Sequence, residues 1–563
     1  YDNNWILGYD FESNASLSET MKLSFDNQQV AVKNFPLKLD FAAANLTISK
    51  ENGDFFFYTN GIRIHDNMDN LMQGGDSLNF GTKWPGYAMY GYPVQDGIIM
   101  MPLNDSIFFL LHLLVEYNFE FGQTFLPALL YSIVNSNIGE KGSVILKNKL
   151  IKTIVDFEFP AATKHANGQD WWIIVPHFLE NKFFTFGLAQ GEIIDTLTQH
   201  IGYKPPWQDS MDLSGQNVFS PDGSIYVDND GRNGIRIFDF DRCTGELSNF
   251  RWIHLPLTGN LLTFGAAISP NSRFLYITSR EYVEQYDLQA NDIAASKEIV
   301  AVYDGFQLPS ELPTYFYSMQ LAPNGKIIIN GAATKYLHVI NHPNEKGIAC
   351  DVRQHILSLP QYTFSTPIYP HYRLGSIDGS PCDTLGIDNH PLARYTWEAD
   401  TVNSLLVQFT DNSFYQPTQW SWDFGDGGSS NEINPTHTFP ADGTYTVCLT
   451  VSNQYDSDTW CQAVTVGATS TQEDASTGVQ LSVYPNPASD VIHLSCQLPP
   501  GKTATWKLFD ALGREIKSER LQAGITARTC SLEGVPSGMY FHRLEIDGVV
   551  IQAGKLTVVS DKK

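Results

Sequence analysis

The residues able to do chemistry are dispersed along the chain. Asp66, Asp170 and Asp239 lie on segments that could point carboxylates at a common centre, where two of them could act as acid and base on a glycosidic bond. His165, His177 and His200 are spaced too widely to read as a metal set, and a lone histidine usually serves structure. Trp171 and Trp172 could stack a sugar, but successive strand residues face opposite sides, so at most one reaches any given surface. Asp411, Asp423, Asp426 and Asp442 could offer hard oxygens to Ca2+, the one cofactor the sequence admits; without EF-hand spacing, turn capping is the expected role. The nucleophile elbow G-x-S-x-G, the zinc-protease helix H-E-x-x-H and paired CxxC motifs do not occur.

Seven cysteines complete the reactive inventory. Cys448 and Cys461 flank the turn Asn453–Asp456. A hairpin centred there pairs Ser452 with Ser457, Thr450 with Thr459, and Cys448 with Cys461, close enough for a disulfide. Bridges Cys496–Cys530 and Cys350–Cys382 are also expected, leaving Cys243 as the odd thiol. The chain opens at Tyr1 with no basic or apolar leader, which predicts a precursor whose export signal has been removed. Disulfides suit that oxidising destination.

Composition narrows the function classes. The chain has 563 residues, 42% hydrophobic and 13% aromatic, enough for three or four folded domains. Lys and Arg number 36 against 61 Asp and Glu, a net charge of −25, which repels nucleic-acid backbones and anionic membrane surfaces. The longest apolar run, Ile107–Val115, carries His112 and is far shorter than the ~20 residues of a helical membrane span.

The elements that must position these residues are strands. From Asp40 to about Gly386, short apolar and aromatic runs alternate with Gly, Asn, Asp and Pro turns. Three segments repeat: Phe219–Tyr226, Ile268–Tyr276 and Leu321–Ile329, each a strand end, a Pro-Asp or Pro-Asn turn and a second strand. Their prolines, Pro221, Pro270 and Pro323, recur at the period of one four-stranded propeller blade. Weaker copies begin at Asn52 and Asn167. Residues 1–395 therefore predict a β-propeller of seven blades, six being possible, and Trp5–Phe11 is expected to pair with strands near residue 370 to close the ring. The segments Lys164–Trp172 and Phe240–Gly245 resemble propeller-bearing surface proteins of Bacteroidota.

Residues 396–467 alternate with period 2 through Trp422-Asp423-Phe424-Gly425-Asp426-Gly427, Pro435–Phe439 and Gly443–Val451, the pattern of an immunoglobulin-like sandwich. These runs resemble the PKD domain family, with Trp422, Phe424, Phe439 and Tyr445 as core. A small-residue linker fills 468–478.

Residues 479–563 form a second predicted sandwich, and charge changes there. Tyr395–Gly501 has no Lys or Arg, whereas the tail has more basic than acidic residues. Tyr484-Pro485-Asn486-Pro487, Gly513 before Arg514, Gly538 and Tyr540, and Lys555–Val559 follow in order. Together they resemble the type-A C-terminal sorting domain of the type IX secretion system. That resemblance implies a translocon and an outer-membrane shuttle barrel as partners, and attachment to surface lipopolysaccharide after processing. Asp-Ser/Thr-aliphatic triplets at Ser77, Ser106, Thr196, Ser210, Thr384 and Thr401 resemble the Bacteroidota O-glycosylation sequon.

The sequence thus predicts an all-β protein, a propeller followed by two Ig-like sandwiches, secreted and attached to the outer cell surface. Its expected function is non-catalytic binding or adhesion, with a glycan or protein ligand on the propeller. The alternatives are a subunit of an extracellular filament or layer, a client held by the secretion machinery, and a glycan-degrading propeller enzyme.

Overall fold

The computed structural model describes the chain except 10–19, 26–29, 42, 51–52, 83, 89–90, 95, 119–122, 140, 154–156, 179, 204–214, 232–233, 255–261, 308–311, 332, 401–402, 468–480, 485–487, 489–490, 497, 499–502, 511–513, 523–527, 537, 547–548 and 559–563. Two compact units form. One comprises Tyr1–Glu398, Val407–Thr438 and Tyr445–Val464; the other comprises Ala399–Leu406, Phe439–Thr444 and Thr465–Lys563.

Within the first unit, the described residues before Tyr395 form seven antiparallel sheets in chain order, two of three strands and five of four. Their first strands are Asn4–Leu7, Leu46–Ser49, Ile98–Pro102, Ala161–Lys164, Gln216–Phe219, Thr263–Ile268 and Met319–Leu321. These first strands are almost wholly buried, whereas the last strand of a sheet, such as Glu192–His200, alternates exposed residues with half-buried ones. Burial on both faces near the axis and on one face at the rim is what a radial stack of sheets requires, and the fold is an all-β propeller.

The ring is not closed as the sequence suggested. Asn4–Leu7 pairs with Met21–Phe25, placing Trp5 opposite Leu23, so the N-terminal strand starts its own sheet. The segment 364–394 contains no strand among its residues; Pro367, Pro370, Pro381 and Pro391 deny it ladder donors. Among the described residues the two ends are linked instead by the Tyr9 N–H donating to the Tyr362 carbonyl, 3.0 Å, by the Tyr9 and Phe364 rings, and by contacts of Arg373 with Asp2 and Asn3. Residues 10 and 11 of the expected strand lie outside the described residues.

The sandwich after Tyr395 has a three-stranded sheet (Tyr395–Ala399, Leu406–Asp411, Thr436–Thr438) and a four-stranded one (Ser429–Ser430, Gln419–Asp423, Gly443–Ser452, Ser457–Val466). Tyr395, Phe409, Trp422 and Phe424 pack as its aromatic core. In the second unit, Leu481–Tyr484, Val491–Cys496 and Arg528–Ser531 form one sheet, and Glu515–Gln522, Thr503–Phe509, Gly538–Ile546 and Val549–Val558 the other, around Trp506, Leu508 and Leu544.

Cys448 and Cys461 are bonded, with Cα atoms 4.1 Å apart. Two expected bridges need correction. Cys382 bonds Cys243 rather than Cys350, because the strandless segment brings it to the turn after Ile235–Phe240, while Cys350 is buried in a 3-10 turn and free. Cys530 is also free, so the Cys496–Cys530 bridge does not form. The register sets Cys530 opposite Ile492, four residues or about 13 Å along the strand from Cys496, beyond disulfide reach. The side chain of Cys496 lies outside the described residues.

Candidate functional site

The carboxylates singled out above are not brought together. Asp66 caps its own turn by accepting the Met68 and Asn70 N–H groups. Asp170 accepts from Asn167, and Asp239 pairs with Arg251 on the next strand. They belong to the second, fourth and fifth sheets. Trp171 and Trp172 are both buried, their indole N–H groups donating to the Pro102 and Arg242 carbonyls, so neither offers a sugar platform. His165 accepts the Asn167 N–H within a turn, and His200 ends an exposed edge strand on the same sheet. Asp411, Asp423 and Asp426 each accept backbone N–H groups of their own turns, and Asp426 also meets His437 at 2.7 Å. Among the described residues no group of three His, Cys, Asp or Glu side chains is placed to hold a metal ion.

A buried relay went unnoticed in the sequence. His112 lies 2.6 Å from the Asn79 carboxamide oxygen and 3.0 Å from Ser132 Oγ, an order of groups that a nucleophilic serine uses. His112 and Ser132 are fully buried, and burial lowers the His112 pKa to about 3. No substrate carbonyl reaches Ser132. The relay satisfies polar groups inside a sheet.

The propeller axis is occupied. Tyr369 donates its N–H to Gln320 and its hydroxyl to the Thr47 carbonyl, 2.8 Å. Tyr372 donates to the Met100 carbonyl at 3.0 Å and meets Trp171 edge-on. His371 Nε2 lies 3.2 Å from the Phe219 carbonyl; a carbonyl only accepts, so Nε2 carries the hydrogen. Arg373 pairs with Asp2 at 2.8 Å and bonds Asn3 at 3.0 Å. This strandless segment thus bonds the inner ends of sheet after sheet. The space left on the axis is about 40 Å3, room for little more than water.

Beside that plug lies a cavity of about 550 Å3. Its walls come from the repeated Pro-Asp/Asn turns at Pro221, Pro270 and Pro323, the segment His371–Gly375, and the loop Asp411–Pro417 with Trp420 of the sandwich, completed by Asp2, Asn344, Ile433 and Asn434. The turns share one geometry. The N–H of Gly223, Ser272 or Gly325 closes onto the carbonyl of Ser220, Ser269 or Ala322, and that closing residue has φ of 73, 58 or 78°. Ser220 and Ser269 donate their hydroxyls to Asp222 and Asn271, and neighbouring turns are joined by the Asp222 N–H donating to Ser272 Oγ at 3.2 Å.

The floor carries the charge. Burial alone would raise the Asp2 carboxyl, but Arg373 holds it at about 2. The Arg373 guanidinium also sits over the Phe414 ring, 5.1 Å from its centre. Burial raises Asp411, opposed by the bonds from Ser413. A second cavity of about 370 Å3 shares Pro270, Gly325, Asn344, Asn412 and Asn434 with the first. On its wall Glu398 contacts Lys326 at 3.3 Å and His342 at 3.2 Å; Glu398 is lowered and His342 raised by that contact. The two cavities form one groove within the first unit.

In the second unit Gly538 opens a strand and Tyr540 is buried, its hydroxyl donating to the Pro536 carbonyl at 2.8 Å. Lys555 stands opposite Phe541, and Tyr484 ends the first strand. Pro485, Asn486, Pro487 and Gly513 lie outside the described residues. Of the glycosylation triplets, Thr196 and Thr384 are exposed and Ser77 and Ser106 half-buried; Ser210 and Thr401 lie outside the described residues.

Comparison with known proteins identifies two modules. Residues 391–467 match the PKD domain family, and residues 482–558 match the secretion system C-terminal sorting domain. The sorting domain directs secretion to the cell surface or the extracellular space. Over 131 residues the chain is 26% identical to the pre-pro-metalloprotease PrtV of Vibrio cholerae, covering 22% of this chain and 14% of that protein. The chain therefore spans about a seventh of that relative. The PKD1 domain of the same Vibrio cholerae protein is 33% identical, covering 14% of this chain and 96% of that one, with a TM-score of 0.13. Streptogramin B lyase aligns at 11% identity over 58% of this chain and 87% of its own, with a TM-score of 0.31. No helix among the described residues is long and apolar enough to cross a membrane.

Proposed function

We propose that this is a surface-attached, non-catalytic binding protein that seats its partner in the groove. The carrying observation is how that groove is built. Three turns on rigid strands, an anchored axial segment and a sandwich loop converge on one concavity, while its acids Asp222, Asp411 and Asp2 are engaged in turn bonds or an ion pair. Fixed groups bind well, but turnover needs a free base or nucleophile beside a pKa-matched acid. Each of the seven sheets serves as one blade, domain limits follow 1–395, 396–467, 468–478 and 479–563, and the tail engages the type IX translocon and shuttle barrel before attachment to lipopolysaccharide. The test screens the purified chain against immobilised glycans and proteins, scoring both retention and new reducing ends. Retention lost in Trp420→Ala without new ends is the expected result. New ends abolished by Asp411→Asn would replace binding with hydrolysis.

One observation favours a second reading, a filament or layer subunit. Outer strands present apolar side chains to solvent, with Ile194 66%, Ile356 59% and Leu150 54% exposed. Concentration-dependent assembly of the purified chain, abolished by Ile194→Lys with Ile356→Lys, would support it.

A further inference from the structure

We infer that the groove takes a neutral, hydroxyl-rich oligosaccharide lying across both of its cavities, an inference that rests on the groove being the binding site. The asparagines carry the argument. Asn271 accepts the Arg273 N–H at 3.2 Å, Asn324 the Lys326 N–H at 3.3 Å, Asn344 the Asn271 N–H at 3.0 Å and Asn434 the Asp411 N–H at 2.8 Å. A backbone N–H can only donate, so each carboxamide turns its oxygen into the fold and keeps its NH2 for something else. All four residues line the groove, Asn344 and Asn434 at the junction of its two cavities, and among the described residues none of the four NH2 groups has a hydrogen-bond partner. Asn412, which lines both cavities, is turned the other way, its NH2 donating to Thr396 Oγ1 at 3.0 Å, so the walls offer four free amide donors beside one carboxamide oxygen.

Charge selects among acceptors. Asp222 and Asp411 face the first cavity, Arg373 is paired with Asp2, and the chain carries a net charge of −25, so carboxylate, sulfate and phosphate ligands are repelled. A cationic peptide would bring further donors to walls that already donate. Sugar hydroxyls and ring oxygens accept from the amides, and hydroxyls return a donor to Asp222, whose three turn bonds all use Oδ1. Trp420 and Phe414 add ring faces on which the apolar side of a pyranose stacks.

The test uses affinity electrophoresis of the full chain through gels containing β-glucan, xylan, mannan or dextran, with polygalacturonate and heparin as acidic probes and oligolysine as the cationic one. The variants are Asn271→Asp and Asn344→Asp. Each keeps an oxygen for the N–H it accepts and exchanges the NH2 for a second, charged carboxylate oxygen; Asp222 already holds the turn position equivalent to Asn271 in the fifth sheet. Retardation by at least one neutral polysaccharide, weakened tenfold or more in the double variant at unchanged melting temperature, is expected. As a second measurement, the matching neutral hexasaccharide should change tryptophan fluorescence in the unmodified chain and not in Trp420→Phe. Retention of only acidic probes, lost in the double variant, or of only cationic ones, strengthened in it, would overturn the neutral-glycan inference while leaving the groove as the binding site. Neutral retention untouched by every variant would overturn both, and no retention of any probe would overturn the inference.

Discussion

Replacing Arg373 by Met should loosen the axial segment in a pH-dependent way. Arg373 and Asp2 are largely buried, with side chains 22% and 12% exposed, and they meet at 2.8 Å. Removing one partner of such a pair leaves a carboxylate stranded, at a cost of about 3–5 kcal/mol. Linkage gives a separate figure. The Asp2 carboxyl is lowered from 3.8 to about 2 by Arg373 against the opposing effect of burial. At 1.36 kcal/mol per unit that difference contributes about 2 kcal/mol. Because the folded value lies below the unfolded one, the contribution is present above about pH 4 and is lost as pH falls toward 2. In Arg373→Met the burial effect loses its main opponent, the Tyr1 ammonium and a backbone bond remaining, so the folded value rises and stability instead improves as Asp2 takes up its proton. The assay is denaturant unfolding of both proteins, followed by the propeller transition, at pH 7 and pH 2.5. The variant should be about 3 kcal/mol less stable at pH 7, with most of the gap closed at pH 2.5. An equal gap at both pH values would refute the ion pair as the cause.

Three further outcomes follow from the same structure. Gly223→Ala forces a side chain onto φ of 73° with a Cβ 2.8 Å from Arg242 Cδ and Thr163 Oγ1, so the propeller should lose about 2 kcal/mol, read from its urea midpoint. Cys448→Ser with Cys461→Ser opens a loop of sequence separation 13 and should cost the sandwich about 3 kcal/mol by calorimetry, a loss mild reductant reproduces in the unaltered chain. Deleting residues 479–563 should strand the protein in the periplasm with the propeller melting temperature unchanged, as fractionation and calorimetry would report. Surface delivery of the truncated chain would contradict the sorting role.

What the sequence made legible was whatever rests on local rules. Period-2 alternation and Pro-Asn turns need only near neighbours, so the all-β class, the repeated turns at Pro221, Pro270 and Pro323 and the Cys448–Cys461 hairpin could be read directly. The axial segment could not. Tyr369, His371, Tyr372 and Arg373 follow no period, and their partners Thr47, Phe219, Met100 and Asp2 lie up to hundreds of residues away. One signal was available: a stretch of about thirty residues without strand pattern, rich in Pro, Tyr and Gly, inside a compact domain usually has a function of its own. The same segment misdirected the cysteine pairing by carrying Cys382 to Cys243. The groove residues were missed for a different reason. Asn271 was visible as a turn former, but that its oxygen serves the turn and its NH2 faces outward depends on where the fold directs the Arg273 N–H.

The central claim, that the partner seats in the groove, is tested most directly by amide hydrogen exchange of the full chain with and without a bound neutral hexasaccharide. Slowed exchange concentrated in 220–225, 269–274, 371–376 and 411–417 is the predicted result. Protection confined to outer strands such as Ser143–Thr153 and Glu192–His200, with the turns and the sandwich loop unchanged, would contradict it.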